Sequence, residues 1–254
     1  MHSIVIAFLF ACAVLCGALV GRMARRRLPE SHLDTDTKDM VKIGVGFLAT
    51  LAALVLGLVV ASAKSTFDTR TQQVQAAAAK VIQLDQTLRR IGPPADAMRA
   101  KLRALLAFKL EQLEKGTYGE ALMKDVTGAH AGADALQDEI ALAVSRDPAH
   151  AAGWAKVDQL GGDTGQIIAQ ASAQSGSSIM TPMLVLLGLW FTIIMAGWNL
   201  VSPHNGTTLT VNLLCAVSLG AAILLLLEMD RSFSGMVTVS SAPLRLALTH
   251  VSAP

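Results

Sequence analysis

The chain has 254 residues, of which 52% are apolar and only 16% charged, and its formal net charge is +2. That balance, with no basic stripe interleaved with aromatics, excludes a nucleic-acid partner. Cys12, Cys16 and Cys215 all lie inside apolar runs, and the six histidines are scattered singly, so neither a disulfide framework nor a metal site is expected.

Four apolar runs organise everything else: residues 4–20, 41–63, 180–201 and 209–227. Each is close to the ~20 residues that a helix needs to cross a bilayer. Each is apolar all round rather than along one face, with Lys42 at the mouth of the second run as the only exception. Charged residues concentrate in 22–42, 64–163 and 228–245. The pattern predicts an all-α membrane protein with four transmembrane helices and a soluble helical insert between spans 2 and 3. Its divisions are 1–63 (first transmembrane pair), 64–178 (insert), 179–228 (second pair) and 229–254 (C-terminal tail).

The first run lacks the basic start of a secretory signal, since Arg22, Arg25, Arg26 and Arg27 follow it. It is therefore expected to be retained as a span, although Leu9–Cys12 faintly resembles a lipoprotein cleavage box. Pro29 ends this helix. Asp36 and Asp39, an acidic cap with a second acid three residues on, open the next. No Gly or Pro interrupts residues 64–91, so the second helix is expected to run unbroken from the membrane to about Ile91. Phe67, Val74, Val81 and Leu88 recur every seven residues, with Ala77, Leu84 and Ile91 between them. Such a seam serves a self-associating helix and a helix packed inside one subunit equally well.

Gly92-Pro93-Pro94 stops that helix. A second soluble helix is expected over 95–115, with Met98, Leu102, Leu105, Leu106, Leu110 and Leu113 on one side and Gly116 closing it. A third, over 131–145, is closed by Asp147-Pro148. A fourth starts near Ala149, is weakened by Gly161-Gly162 and fades into the loop 175–178. Trp154 and Tyr118 are the insert's only large polar-tipped aromatics, poor furnishing for a deep ligand pocket. A tight Pro- and Asn-Gly-containing turn at 202–207 joins the last two spans, with Trp198 placed for the interface. The sequon at Asn205 is a chance match beside the membrane. Thr210, Asn212 and Ser218 are the polar members of the last span, and Asn212 is placed to cap the turn.

No nucleophile elbow, phosphate loop or dinucleotide fingerprint appears, and the acids Glu111, Glu114, Glu120, Asp138 and Glu139 are balanced by bases as on a solvated face. Enzymatic activity is not expected. The second span is more telling. Gly46, Thr50, Ala53, Gly57 and Ala61 share one stripe, which continues into Lys64 and Asp68. Small residues in a span serve either close helix packing or the wall of a pathway. Leu51, Leu54, Val55 and Leu58, on the other faces, equally suit a hydrophobic constriction.

Residues 42–46 and 56–68 (KIGVG and LGLVVASAKSTFD) resemble the opening signature of the bestrophin-like family of bacterial membrane proteins. Ser202-Pro203-His204-Asn205, residues 227–235 (LEMDRSFSG) and residues 240–245 (SSAPLR) are similar to later parts of the same pattern. The family carries a more distant likeness to bestrophins, pentameric anion channels with four spans per subunit, an intracellular helical domain and a second helix that lines the pore. The resemblance implies an oligomeric membrane protein, a pentamer by likeness, that passes small ions along its second helices. Gly46, Thr50, Ala53, Gly57, Ala61, Lys64 and Asp68 would line the pathway, and Glu228, Asp230, Phe233 and Gly235 would form the motif after the last span. Ser232 stands where the resembled pattern has proline. Only Glu228 and Asp230 remain of the acidic cluster that binds calcium in animal bestrophins, so no metal or other cofactor is implied.

The alternative is a non-conducting membrane scaffold whose insert binds a partner protein. Under the positive-inside rule the arginine cluster marks the first loop as cytoplasmic, whereas the resemblance places the insert inside. Six basic residues near the spans on one side against four on the other separate these weakly. The expected location is the inner membrane, with the insert cytoplasmic as the resemblance implies.

Overall fold

A computed structural model describes residues 2–29, 34–115, 138–143, 146–173, 181–203, 205–230 and 238–252. Among these residues there is no strand. The helices are α1 (His2–Arg27), α2 (Thr35–Ile91), α3 (Asp96–Glu114), α4 (Ala151–Ala173), α5 (Thr181–Val201), α6 (Gly206–Asp230) and α7 (Ala242–Ser252). Four of them, α1, α2, α5 and α6, are long and apolar enough to cross a membrane. The expectations for Gly116, Tyr118, Glu120 and the loop 175–178 fall outside the described residues, as do Phe233, Gly235 and most of the third soluble helix.

By internal packing the chain divides into two compact units, Met1–Ser65 with Ser177–Asp230, and Thr66–Gly176 with Arg231–Pro254. In the first unit α1 packs against α5 and α6. Lipid is as apolar as leucine, so burial supplies little driving force here and close approach has to hold the helices together. Gly17 and Gly21 provide it. A Cβ on either would overlap the backbone of α5, at the Thr192 and Ala196 carbonyls respectively. Val14, Leu187, Ala216, Ile223 and Leu226 fill the interior behind them.

Polar side chains fasten the ends. The Asn199 and Asn212 amides exchange hydrogen bonds of 2.8 and 3.3 Å between α5 and α6, and Asn199 also donates to the Met195 carbonyl at 2.9 Å. Asn212 is thus paired across the helices rather than capping the turn. That role belongs to Asn205, whose Oδ1 accepts from the Thr208 amide at 2.9 Å. The Arg25 guanidinium donates to the Ser202 carbonyl at the end of α5. The cap of α2 is Asp34, two residues before the expected Asp36, because its carboxylate reaches the Thr37 amide at 2.9 Å.

The second unit is built as a water-soluble helical core is built. Val81, Leu84, Leu88 and Ile91 are buried together with Met98, Leu102 and Leu106 of α3 and Trp154, Val157 and Leu160 of α4. Burial of each such leucine or valine stabilises by about 1.5–3 kcal/mol. The distal part of the seam is therefore spent within the chain, with Ala78 rather than Ala77 as the buried alanine. Gly92 takes φ 84°, a left-handed conformation that ends α2 and admits the following prolines. α4 passes unbroken through Gly161 and Gly162, because Val157 and Leu160 anchor the turn before them in the core. Leu105 of α3 lies outside the core and is 41% exposed, a departure from the expected apolar side.

Residues 242–252, within what the sequence presents as a tail, form α7, whose Ala247 and Val251 join this core. Asp85, buried, accepts from Arg89 Nε at 2.7 Å and Arg99 Nε at 3.0 Å. Arg89 and Arg103 also donate to the His250 and Val251 carbonyls, so two cations close the C-terminal turn of α7. Trp154 is buried in this core and donates its indole N–H to Asp147 at 3.3 Å.

Candidate functional site

The membrane part of α2 shows three distinct faces. One carries the contacts within the chain: Val45, Ala52, Val59 and Ala63 are buried on it, and Val55 packs against the same interior. A second bears large exposed side chains, Met40, Ile43, Phe47, Leu51, Leu54 and Leu58. A third bears Gly46, Thr50, Ala53, Gly57 and Ala61, of which Gly46 is partly exposed and the other four exposed. At 3.6 residues per turn the small face lies about 80° from the large exposed one and about 140° from the packed one.

The small face touches nothing in the chain at its glycines. A Cβ added at Gly46 or Gly57 would meet no atom within 4 Å. Thr50 turns its hydroxyl back to the Gly46 carbonyl at 3.0 Å, so the one polar group on the face is satisfied by its own helix. Packing against a neighbouring helix of the same chain is thus not what these small residues do. Val55, one of the residues suited to a constriction, is spent on the interior, whereas Leu51, Leu54 and Leu58 stay exposed.

Lys64 follows the stripe in helical register and is exposed, and Asp68 is half-buried. Each makes polar or charged interactions within the protein. Glu228 and Asp230, at the end of α6, are both 7% exposed, and each is likewise engaged. Carboxylates this deeply placed need partners, since an isolated buried charge is strongly disfavoured. The remaining two residues of the post-span motif, Phe233 and Gly235, lie outside the described residues. Among the described residues no group of acids, histidines and cysteines is arranged to hold a metal.

Several structural devices escaped the sequence. The Gly17-x-x-x-Gly21 spacing at the end of the first apolar run is a recognised signal for close helix contact and was there to be read. Nothing in the linear pattern pairs Asn199 with Asn212, or Arg25 with the Ser202 carbonyl, because the partners are far apart in sequence or bonded through the backbone.

The Bestrophin-like domain model matches residues 11–244. The fold is similar to the crystal structure of a bacterial bestrophin homologue from Klebsiella pneumoniae that carries a single isoleucine-to-threonine mutation. That match has a TM-score of 0.67 at 12% sequence identity and covers 99% of this chain and 98% of the other. At such identity the likeness speaks for the fold alone. Among curated proteins none matches the sequence.

Proposed function

The chain belongs to the bestrophin-like family, and from that premise we propose that it assembles as a homo-oligomer, a pentamer by likeness, and conducts small ions along its second helices. It is a membrane protein of that family. The open small face of α2 supports this function. Gly46, Thr50, Ala53, Gly57 and Ala61 are left uncovered by the chain, while a separate face provides all the intramolecular packing. A span that met only lipid would have no use for a strip of minimal side chains beside a strip of large ones. Copies arranged around an axis would use the small face to leave room at the centre, with Leu51, Leu54 and Leu58 at its flank.

In this arrangement Lys64 contributes a ring of charge at one mouth. Such a ring concentrates counter-ions and favours anions. Conductance of the purified protein in liposomes tests the proposal directly. A selective ion flux that scales with protein supports it. Silent liposomes containing properly assembled oligomers would favour a scaffold whose helical insert binds a partner protein.

The insert is proposed to be cytoplasmic and the membrane to be the inner one. In a cysteine-free background, a cysteine introduced at Gly119 should then resist a membrane-impermeant thiol reagent in intact cells. One introduced at Ser31 should react. The opposite labelling would put the arginine-bearing loop inside and overturn this orientation.

A further inference from the structure

Among the described residues, the end of α1 carries more positive charge than its contacts use. Arg25 is committed to the Ser202 carbonyl. Arg22, Arg26 and Arg27 make no hydrogen bond or ion pair with any described residue. The acids nearest in the chain among the described residues do not neutralise them. Asp34 caps α2 through the Thr37 amide, Asp39 is paired with Lys42 at 2.8 Å, and Asp36 occupies the first turn of α2. The bond from Arg25 to Ser202, and the contact that Gly197 makes with Val45, put the end of α1, the start of α2 and the end of α5 at one end of the first unit.

What lies beneath the arginines identifies the ligand class. Leu19, Val20 and Met23 are 59%, 59% and 53% exposed on α1. They stand three to eight residues before Arg26 and Arg27 on the same side of the helix. An apolar strip is thus topped, at the point where a span ends, by guanidiniums that no described residue neutralises. Trp198 is 43% exposed near the end of α5, at the level where indoles mark the bilayer interface. Guanidinium groups present planar forks that bind phosphate through paired hydrogen bonds.

We propose that the C-terminal turn of α1 is a headgroup site for an anionic phospholipid, with Arg26 and Arg27 on the phosphate, Arg22 beside them and Leu19, Val20 and Met23 against an acyl chain. The helix end itself adds to the local field only weakly, and in the opposite sense, so the arginine side chains provide the attraction. The site does not depend on ion conduction, and it applies to whichever leaflet this end of the bundle meets. It gives the arginine cluster a use that does not depend on orientation.

The test is titration of short-chain phosphatidylglycerol and phosphatidylcholine into the purified full-length protein, followed by native mass spectrometry. The wild type should bind phosphatidylglycerol in clear preference to phosphatidylcholine. Each arginine lost should weaken phosphatidylglycerol by about fivefold, and the Arg22→Gln, Arg26→Gln, Arg27→Gln triple variant by roughly a hundredfold. Arg25 is left in place so that its bond to Ser202 survives. The corresponding triple lysine variant should keep most of the preference, and inorganic phosphate at the same concentration should not displace the lipid. A wild type without preference, or a glutamine triple that retains it, overturns the proposal. Should the glutamine triple fail to accumulate, Arg27→Gln alone decides: the fivefold loss supports the site, and an unchanged affinity overturns it.

Discussion

The first and second spans both carry glycines at helical spacing, and the chain uses them in opposite ways. In α1, Gly17 and Gly21 sit directly against the backbone of α5, where no side chain fits. In α2, Gly44, Gly46 and Gly57 face open space. The wider packing follows the same division, since 33% of the most apolar window of α1 is buried against 17% for α2. A small residue in a span is therefore not a sign of close packing in itself. What decides is whether a neighbour of the same chain occupies the space it leaves. Where none does, the space is available to another copy or to what passes between copies.

Filling both kinds of space with the same side chain separates the two uses of glycine. Gly21→Leu drives an isobutyl group into the Ala196 carbonyl, a backbone atom that cannot swing away. It should cost about 3 kcal/mol or abolish folded protein, seen as lost recovery of monodisperse protein in detergent. Gly57→Leu should leave the stability of the single chain within about 0.5 kcal/mol, because nothing lies within 4 Å of its Cβ position. Comparable losses for both would show that the two spans use their glycines alike.

In the second unit the greatest sensitivity should lie at Asp85. Asp85→Asn removes the charge that Arg89 and Arg99 share and leaves their guanidiniums partly buried, at a cost of about 3 kcal/mol in chemical denaturation. An unchanged midpoint would mean that the core of α2, α3 and α4 alone sets the stability there. Smaller again is Asn199→Ala, which breaks the amide pair between α5 and α6. Hydrogen bonds between membrane helices are worth about 1 kcal/mol, so a modest drop in thermal stability is expected. Lys64→Glu should leave the unfolding temperature nearly unchanged while shifting ion preference from anions towards cations. An unaltered preference would remove Lys64 from the pathway.

The four spans were legible because bilayer thickness imposes a length and a composition that few other constraints imitate. The unbroken course of α2 was legible for a related reason: no Gly or Pro interrupts Lys64 to Ile91, and Gly92 supplies the stop. The stripe from Gly46 to Ala61 was visible as a pattern, but whether it was covered depends on where α5 and α6 lie, which no local spacing encodes. The same limit hid the pairing of Asn199 with Asn212. The helix α7 was passed over because its eleven residues are too short to show a persuasive period, and its burial depends on α2 and α3. Gly161 and Gly162 misled in the other direction. Their intrinsic cost in a helix, about 1 kcal/mol each, is outweighed by the anchoring of Val157 and Leu160.

Whether the open small face of α2 borders an ion pathway is read from ion flux through liposomes reconstituted with Gly57→Leu. Wild type and variant should elute at the same oligomeric size, so that assembly is held constant while the face is filled. The variant's flux should be abolished while the wild type conducts. Undiminished flux through an intact Gly57→Leu oligomer would contradict a pathway along this face, as would dissociation of the oligomer, which would make the face a packing surface between copies and not the wall of a pore.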